Sequence, residues 1–317
     1  DAIVIRYIND NDEEYVVLID AGHRGDGPKI EKHINRYTRS KKIDLAINTH
    51  PDDDHIGGFF YLVGRVPITK FWIHDPSLHK VNLENTLNEI NKANLEKSLK
   101  FVVESLTDSK NLLSLIDQHG IERIEPFAGV SFEEISLKVV GPSIHYYESK
   151  LKSFRDYDVL LREEKALSMV KGIEEEWLFS EGIEEDKALL NKNNDRSNEN
   201  NSSVVLLFEP QGRRYLFTAD AGPEALLTAH NEYDLSNLNW LDVPHHGSIY
   251  NITSDLIEIF NPKVAYISCG NAKGSPSPSV VNVLKENGCK VYATSLSGNL
   301  LHNKIENRSG YSPATQL

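Results

Sequence analysis

Short apolar runs broken by polar turns open the chain. Ile3 to Ile8 and Tyr15 to Ile19 are rich in β-branched and aromatic residues, and the polar Asn9-Asp10-Asn11-Asp12 between them predicts a hairpin. Ile30, Ile34 and Tyr37 then recur at helical spacing, after which Ile43 to Asn48 reads as a buried strand ending at Thr49-His50. Leu83, Leu87 and Ile90 on one face, and Leu112, Leu115 and Ile116 on another, predict helices over Asn82 to Thr107 and Ser109 to Gln118. Ile135 to Val140 is the next strand, closed by Gly141-Pro142. Strands resume at Val204 to Phe208, Tyr215 to Thr218, Trp240 to Val243, Val264 to Ser268 and Val291 to Thr294. Helices are predicted over Pro223 to Asn231, Thr253 to Phe260 and Ser277 to Asn287. Two strand-rich halves, each carrying helices, predict an α/β fold in four layers with the sheets inside.

The middle of the chain has a different texture. Between Glu148 and Glu199 there are nine basic and fourteen acidic side chains; Leu151, Phe154 and Leu161 mark a helical part, and Asn191 to Ser203 reads as a solvated loop. Residues 143–200 are therefore expected to be a charged helical and loop insertion within a single domain over 1–317. Composition adds little to this picture except by exclusion. With 39% hydrophobic and 26% charged residues the chain is globular rather than disordered. No stretch approaches the ~18 apolar residues of a spanning helix, and Asp1 to Asp10 lacks the pattern of a signal peptide, so the expectation is a cytoplasmic location with no membrane. A net charge of −13 argues against a broad non-specific grip on nucleic acid and leaves only a local basic groove open. Cys269 and Cys289 are the only cysteines, too few for a disulfide framework and expected as small core residues.

The densest chemistry lies in Thr49-His50-Pro51-Asp52-Asp53-Asp54-His55-Ile56-Gly57-Gly58. Three carboxylates and two imidazoles directly after an apolar strand are electrostatically costly unless they meet a cation. On a tight loop His50 and Asp52 can turn towards one ion and Asp54 and His55 towards a second, with Asp53 pointing away and the glycine pair letting the backbone pass close by. The plainer alternative is an acidic surface loop with incidental histidines, weakened by the strand before it and the glycines after it. Asp220 follows the apolar run Tyr215 to Thr218, where an unpaired carboxylate is unfavourable; a helix cap before Pro223 is the alternative. His245 and His246 follow Leu241 to Val243, and adjacent residues at a strand end point to opposite sides, which makes one a ligand and the other a substrate-facing group, unless the pair is structural.

These motifs resemble the metallo-β-lactamase superfamily, whose signature is a His-x-His/Asp-x-Asp-His loop on an αββα sandwich. They are similar to the hydrolase domain of ComEC-type competence (DNA-uptake) proteins and their stand-alone relatives. Ile19-Asp20-Ala21-Gly22, Val140-Gly141-Pro142-Ser143, Asn201 to Leu206, Phe217-Thr218-Ala219-Asp220, Val243 to Ser248 and Gly270-Asn271 through Pro278 match that family's motifs in order. The resemblance implies a four-layered αββα sandwich with a helical insertion and a centre of two divalent ions. His50 and Asp52 would hold one, Asp54, His55 and His245 the other, with Asp220 between them. Asp54 and His246 are assigned to catalysis, His246 as proton donor or oxyanion contact; the roles of His245 and His246 are interchangeable at this stage. Asp20 is expected to bond loop backbone rather than a metal. His23, Ser248, Asn271 and Lys273 are candidate substrate contacts, surface charge being the plainer reading of His23 and Lys273. His74 is expected as a satisfied strand-end histidine.

Two departures from the family pattern stand out. No histidine lies near Asn201 to Leu207, and Ser275 stands where the related loop commonly carries histidine before proline. Three carboxylates against three imidazoles shift the metal preference from Zn²⁺ towards Mn²⁺. The expected activity is hydrolysis by a metal-bridging hydroxide, with a phosphodiesterase or nuclease acting on DNA or RNA in first place and a protein partner in a multi-component system as an extension. A hydrolase of small esters, lactones or thioesters is the enzymatic alternative, and an assembly module with a decayed site the non-enzymatic one.

Overall fold

The computed structural model describes residues 1–79, 97–153, 182–192, 197–270, 276–296, 300–301, 312–313 and 315–317. It contains two multi-strand sheets, each at the heart of a compact unit; the units comprise Asp1–Val130 with Ser143–Leu167, and Ser131–Pro142 with Ser168–Leu317.

In the first unit the predicted hairpin is present as β1 (Ile3–Ile8) antiparallel to β2 (Glu14–Ile19). β3 (Ile43–Ile47), β4 (Ile68–Trp72) and β5 (Glu122–Ile124) then extend the sheet in parallel, in the order β1-β2-β3-β4-β5. Val16 to Ile19 and Ile43 to Ile47 are buried at every position, as interior strands of a covered sheet must be, which is why they read as apolar runs, interrupted only by Asp44. Leu18, Ala46 and Phe71 meet Ile30 and Ile34 of helix Gly27–Tyr37, Phe59 and Leu62 of helix Phe59–Leu62, and Leu112 and Ile116 of helix Lys97–Gln118 in one apolar core. Parallel strands place their following loops along one edge. His50 to Asp54, His74 and Glu125 all leave from that edge.

The second unit holds β6 (Ser131–Phe132), β7 (Leu137–Gly141), β8 (Val205–Phe208), β9 (Tyr215–Phe217), β10 (Trp240–Asp242), β11 (Val264–Ile267) and β12 (Lys290–Ala293), in the order β12-β11-β10-β9-β8-β7-β6. β9 to β12 run parallel and β6 to β9 antiparallel. Because β9 and β10 are parallel neighbours with Leu216 opposite Leu241, the loops that carry Asp220 and His245 leave side by side. Helices Pro223–Tyr233 and Pro278–Glu286 start at prolines, whose fixed φ and missing N–H suit a first helical turn; Ser254–Phe260 starts at Thr253, whose hydroxyl accepts from the Leu256 N–H.

Three expectations change. The Ile135 strand begins instead at Leu137, because Glu133–Ile135 forms a 3-10 turn closed by left-handed Ser136 at φ +57°. The break expected at Asp108 is absent: the helix runs through it from Lys97 to Gln118, and 82–96 lie outside the described residues. The solvated loop expected over Asn191 to Ser203 is overturned at its C-terminal end, where Asn198, Asn200, Asn201, Ser202 and Ser203 are buried around the helical turn Asn198–Asn201. Local bonds make that burial tolerable: Ser197 caps the turn, Asn201 Nδ2 donates to the Ser197 carbonyl and Ser202 Oγ to the Glu199 carbonyl. Of the remaining insertion, helices Ile144–Ser153 and Ile183–Lys192 are formed; Phe154 and Leu161 lie outside the described residues. Both cysteines are buried, and burial pushes the Cys289 thiol up to about 12. Among the described residues no helix is long and apolar enough to cross a membrane.

Candidate metal centre

The loop after β3 is set by backbone first. Asp52 is the extended residue before a single helical turn, Asp53–Ile56, so the chain reverses within four residues and brings His55 back over His50, with ring centroids 4.1 Å apart. Gly58 permits this. A Cβ there would sit 2.0 Å from the Ala21 carbonyl oxygen, and one at Gly57 2.5 Å from the Arg24 nitrogen, so only glycine lets the two loops touch.

Asp20 joins those loops. Its buried carboxylate accepts the Thr49 N–H at 2.8 Å and the Thr49 hydroxyl at 2.7 Å, and pairs with His55 Nδ1 at 2.7 Å. A carboxylate on Nδ1 turns the His55 ring so that Nε2 faces the acidic loop. There Nε2 stands 3.7 Å from Asp54 Oδ2 and 3.9 Å from Asp1 Oδ2, while His50 Nε2 stands 3.7 Å from Asp52 Oδ2. These separations are too long for hydrogen bonds. They are close to the spacing of two ligand atoms that each sit about 2.1 Å from one ion.

The second unit contributes its own donors. Asp220 is buried after left-handed Ala219 (φ +45°) and precedes the turn into helix Pro223–Tyr233, whose N-cap is Gly222 rather than Asp220. His245, His246 and Gly247 form a left-handed turn at φ +48°, +56° and +78°. Strand alternation therefore does not govern the two histidines, and both imidazoles turn to the same carboxylate. His245 Nε2 lies 3.7 Å from Asp220 Oδ2, and a ring nitrogen of His246 and a carboxylate oxygen of Asp220 lie within 4.8 Å of one another. Non-glycine residues in this region cost on the order of 1–2 kcal/mol each, strain of the kind found at functional sites. His246 is held by its Nδ1–H, which donates to the Ser268 carbonyl at 2.7 Å.

Other candidate residues fall in less central places. His23 Nδ1 pairs with Asp53 Oδ2 at 2.9 Å on the exposed outer side of the loop, and Arg24 lies 3.9 Å from the same carboxylate group. The Ser248 hydroxyl accepts the Tyr250 N–H at 3.2 Å. Asn271, Lys273 and Ser275 lie outside the described residues. The sequence pattern does not single out Asp1. It reaches His55 because β1 pairs with β2 in a register that sets Ile3 opposite Ile19. His74 departs from its expectation: it is buried between the Phe127 ring at 4.6 Å and the Tyr147 ring at 4.3 Å, both its nitrogens lack hydrogen-bond partners among the described residues, and burial, aided by nearby His79, pushes its pKa down to about 3.

Imidazole and carboxylate donors in both sets suit a divalent ion of borderline or hard character, with no thiolate among them. Residues 1–140 match the family model of the metallo-beta-lactamase superfamily. The chain is 30% identical over 118 residues to ComE operon protein 3 of Bacillus subtilis (strain 168), a match covering 37% of this chain. The matched region spans only 15% of that relative's length.

Proposed function

We propose that this chain is a metal-dependent hydrolase of phosphodiesters, with DNA or RNA as its substrate class. One observation carries the reading: imidazole Nε2 and carboxylate oxygen recur 3.7 Å apart at His50 with Asp52, His55 with Asp54 and His245 with Asp220. The residues proposed to hold metal are His50, Asp52, Asp54 and His55 in the first unit and Asp220 and His245 in the second. Divalent ions, held by these residues, would supply an activated water for attack and would neutralise charge on phosphoryl oxygens. The chain's own residues do the rest. Asp20 fixes the His55 ring, Asp54 supplies carboxylate oxygen beside it, and His246, anchored at Ser268 through Nδ1, serves as proton donor or oxyanion contact.

The oxygen-rich donor set favours Mn²⁺ over Zn²⁺. The choice of phosphodiesters rests on the similarity to ComEC-type domains, and a partner protein belongs to the same reading. The test is turnover of bis-(p-nitrophenyl) phosphate and plasmid DNA by the Mn²⁺-loaded protein, beside a panel of lactones, esters and thioesters. Phosphodiester cleavage that EDTA abolishes and added Mn²⁺ restores is expected. Lactone or thioester cleavage with inert phosphodiesters overturns the substrate class, and a protein that binds no divalent ion overturns the enzymatic reading in favour of an assembly module.

A further inference from the structure

Asn251 is fully buried and belongs to none of the motifs that suggest a metal centre. Its amide lies between two of the proposed ligands. Nδ2 donates to the main-chain carbonyl of Asp220 at 2.9 Å, and Oδ1 lies 2.9 Å from His245 Nδ1. The first contact settles the orientation of the amide, since a carbonyl only accepts and must face the NH₂ end. The oxygen therefore faces His245, where it too can only accept. Nδ1 of His245 must then carry the proton, which leaves the lone pair of the neutral ring on Nε2, the atom 3.7 Å from Asp220 Oδ2. Asn200 Nδ2 stands 3.4 Å from the same Nδ1, too far to compete with a 2.9 Å bond.

We propose that Asn251 is a positioning residue that locks His245 in its Nδ1–H tautomer and, through the Asp220 backbone, holds imidazole and carboxylate at ligand spacing. The assignment of His245 as a ligand rests on the metal reading above; the tautomer does not. Main-chain contacts add to the lock, for the His245 N–H donates to the Ala219 carbonyl at 3.0 Å. His246 is an internal control, because its Nδ1–H is anchored on a main-chain carbonyl that no side-chain substitution removes.

The experiment uses the full chain labelled with ¹⁵N-histidine, free of metal and near pH 8, with the His245 signals assigned through a His245→Gln variant. Wild type is expected to show the Nδ1–H tautomer at His245. Asn251→Leu should shift His245 towards Nε2–H or a mixture and leave His246 unchanged, and should weaken Mn²⁺ binding in calorimetry by about 10- to 100-fold. Asn251→Asp keeps an acceptor facing Nδ1 and should retain the wild-type tautomer, so it stays informative if the leucine variant fails to fold. A wild-type His245 in the Nε2–H form, an unchanged tautomer in Asn251→Leu, or an Nε2–H ring in Asn251→Asp overturns the proposal. A wild type that binds neither Mn²⁺ nor Zn²⁺ removes the metal reading alone, and the tautomer spectra still decide the role of Asn251.

Discussion

Asp20 and His74 show how differently buried polar groups at two strand ends of one sheet can be treated. Asp20 accepts from Thr49 twice and pairs with His55, so its charge is compensated within the loop it orders. Asp20→Asn places an amide NH₂ where one of these donors now points. The expected outcome is a loss of about 1–3 kcal/mol in urea unfolding, together with Mn²⁺ affinity reduced about 10- to 100-fold in calorimetry. His74 receives no such compensation. Its folded pKa is about 3 against an ordinary 6.5, so between those values the unfolded chain takes up a proton that the folded protein refuses. Stability therefore falls as pH drops below 6.5, by about 1.4 kcal/mol per unit from this group alone. His74→Phe should match wild type near neutral pH and exceed it by about 2 kcal/mol near pH 5, read from urea midpoints at the two pH values. His79 works in the opposite direction: burial opposes its charge, but hydrogen bonds to Glu148 and Glu125 outweigh that and raise its pKa, so its contribution is complete below 6.5 and fades as pH rises.

At the scale of elements, the two sets of donors depend on two short loops, one in each unit, more than on any strand. The helical turn Asp53–Ile56 returns His55 over His50 only because Gly58 leaves room for the Ala21 carbonyl. Gly58→Ala meets a backbone atom at 2.0 Å that no rotamer change can avoid. It should cost about 1–3 kcal/mol or more in chemical unfolding and abolish metal binding at the His50 loop, although φ at Gly58, −68°, suits alanine well. The left-handed turn His245–Gly247 plays the matching part in the other sheet, where backbone handedness turns two successive imidazoles onto one carboxylate.

For the whole molecule, the proposed centre predicts a linkage between metal and folding. Donors that suit an ion in the folded chain are dispersed in the unfolded one, so ligand binding stabilises the native state. EDTA should lower the thermal midpoint, and Mn²⁺ at a hundredfold excess over its Kd should restore about 2.7 kcal/mol, followed by scanning calorimetry. An unchanged midpoint across the titration would remove metal from the account of this protein.

Much of the plan was legible along the chain because strands and helices are local in cause. Apolar runs such as Ile43 to Ile47 and the helical spacing of Ile30 and Ile34 reflect which faces must be buried, and element ends moved by only a few residues. The crowding of His50, Asp52, Asp54 and His55 was likewise visible, since its electrostatic cost exists in any conformation that holds those residues together. Other features are invisible in order of residues. Asp1 approaches His55 through strand register, Asn198 to Ser203 are buried because their own turn satisfies them, and Asn251 reaches both His245 and the Asp220 carbonyl through a left-handed turn. Sequence settles which groups would be costly to leave alone, because charge and hydrophobicity belong to the residue. Only tertiary structure decides which partners meet them, because hydrogen bonding and metal spacing depend on distance and direction between atoms the chain keeps far apart.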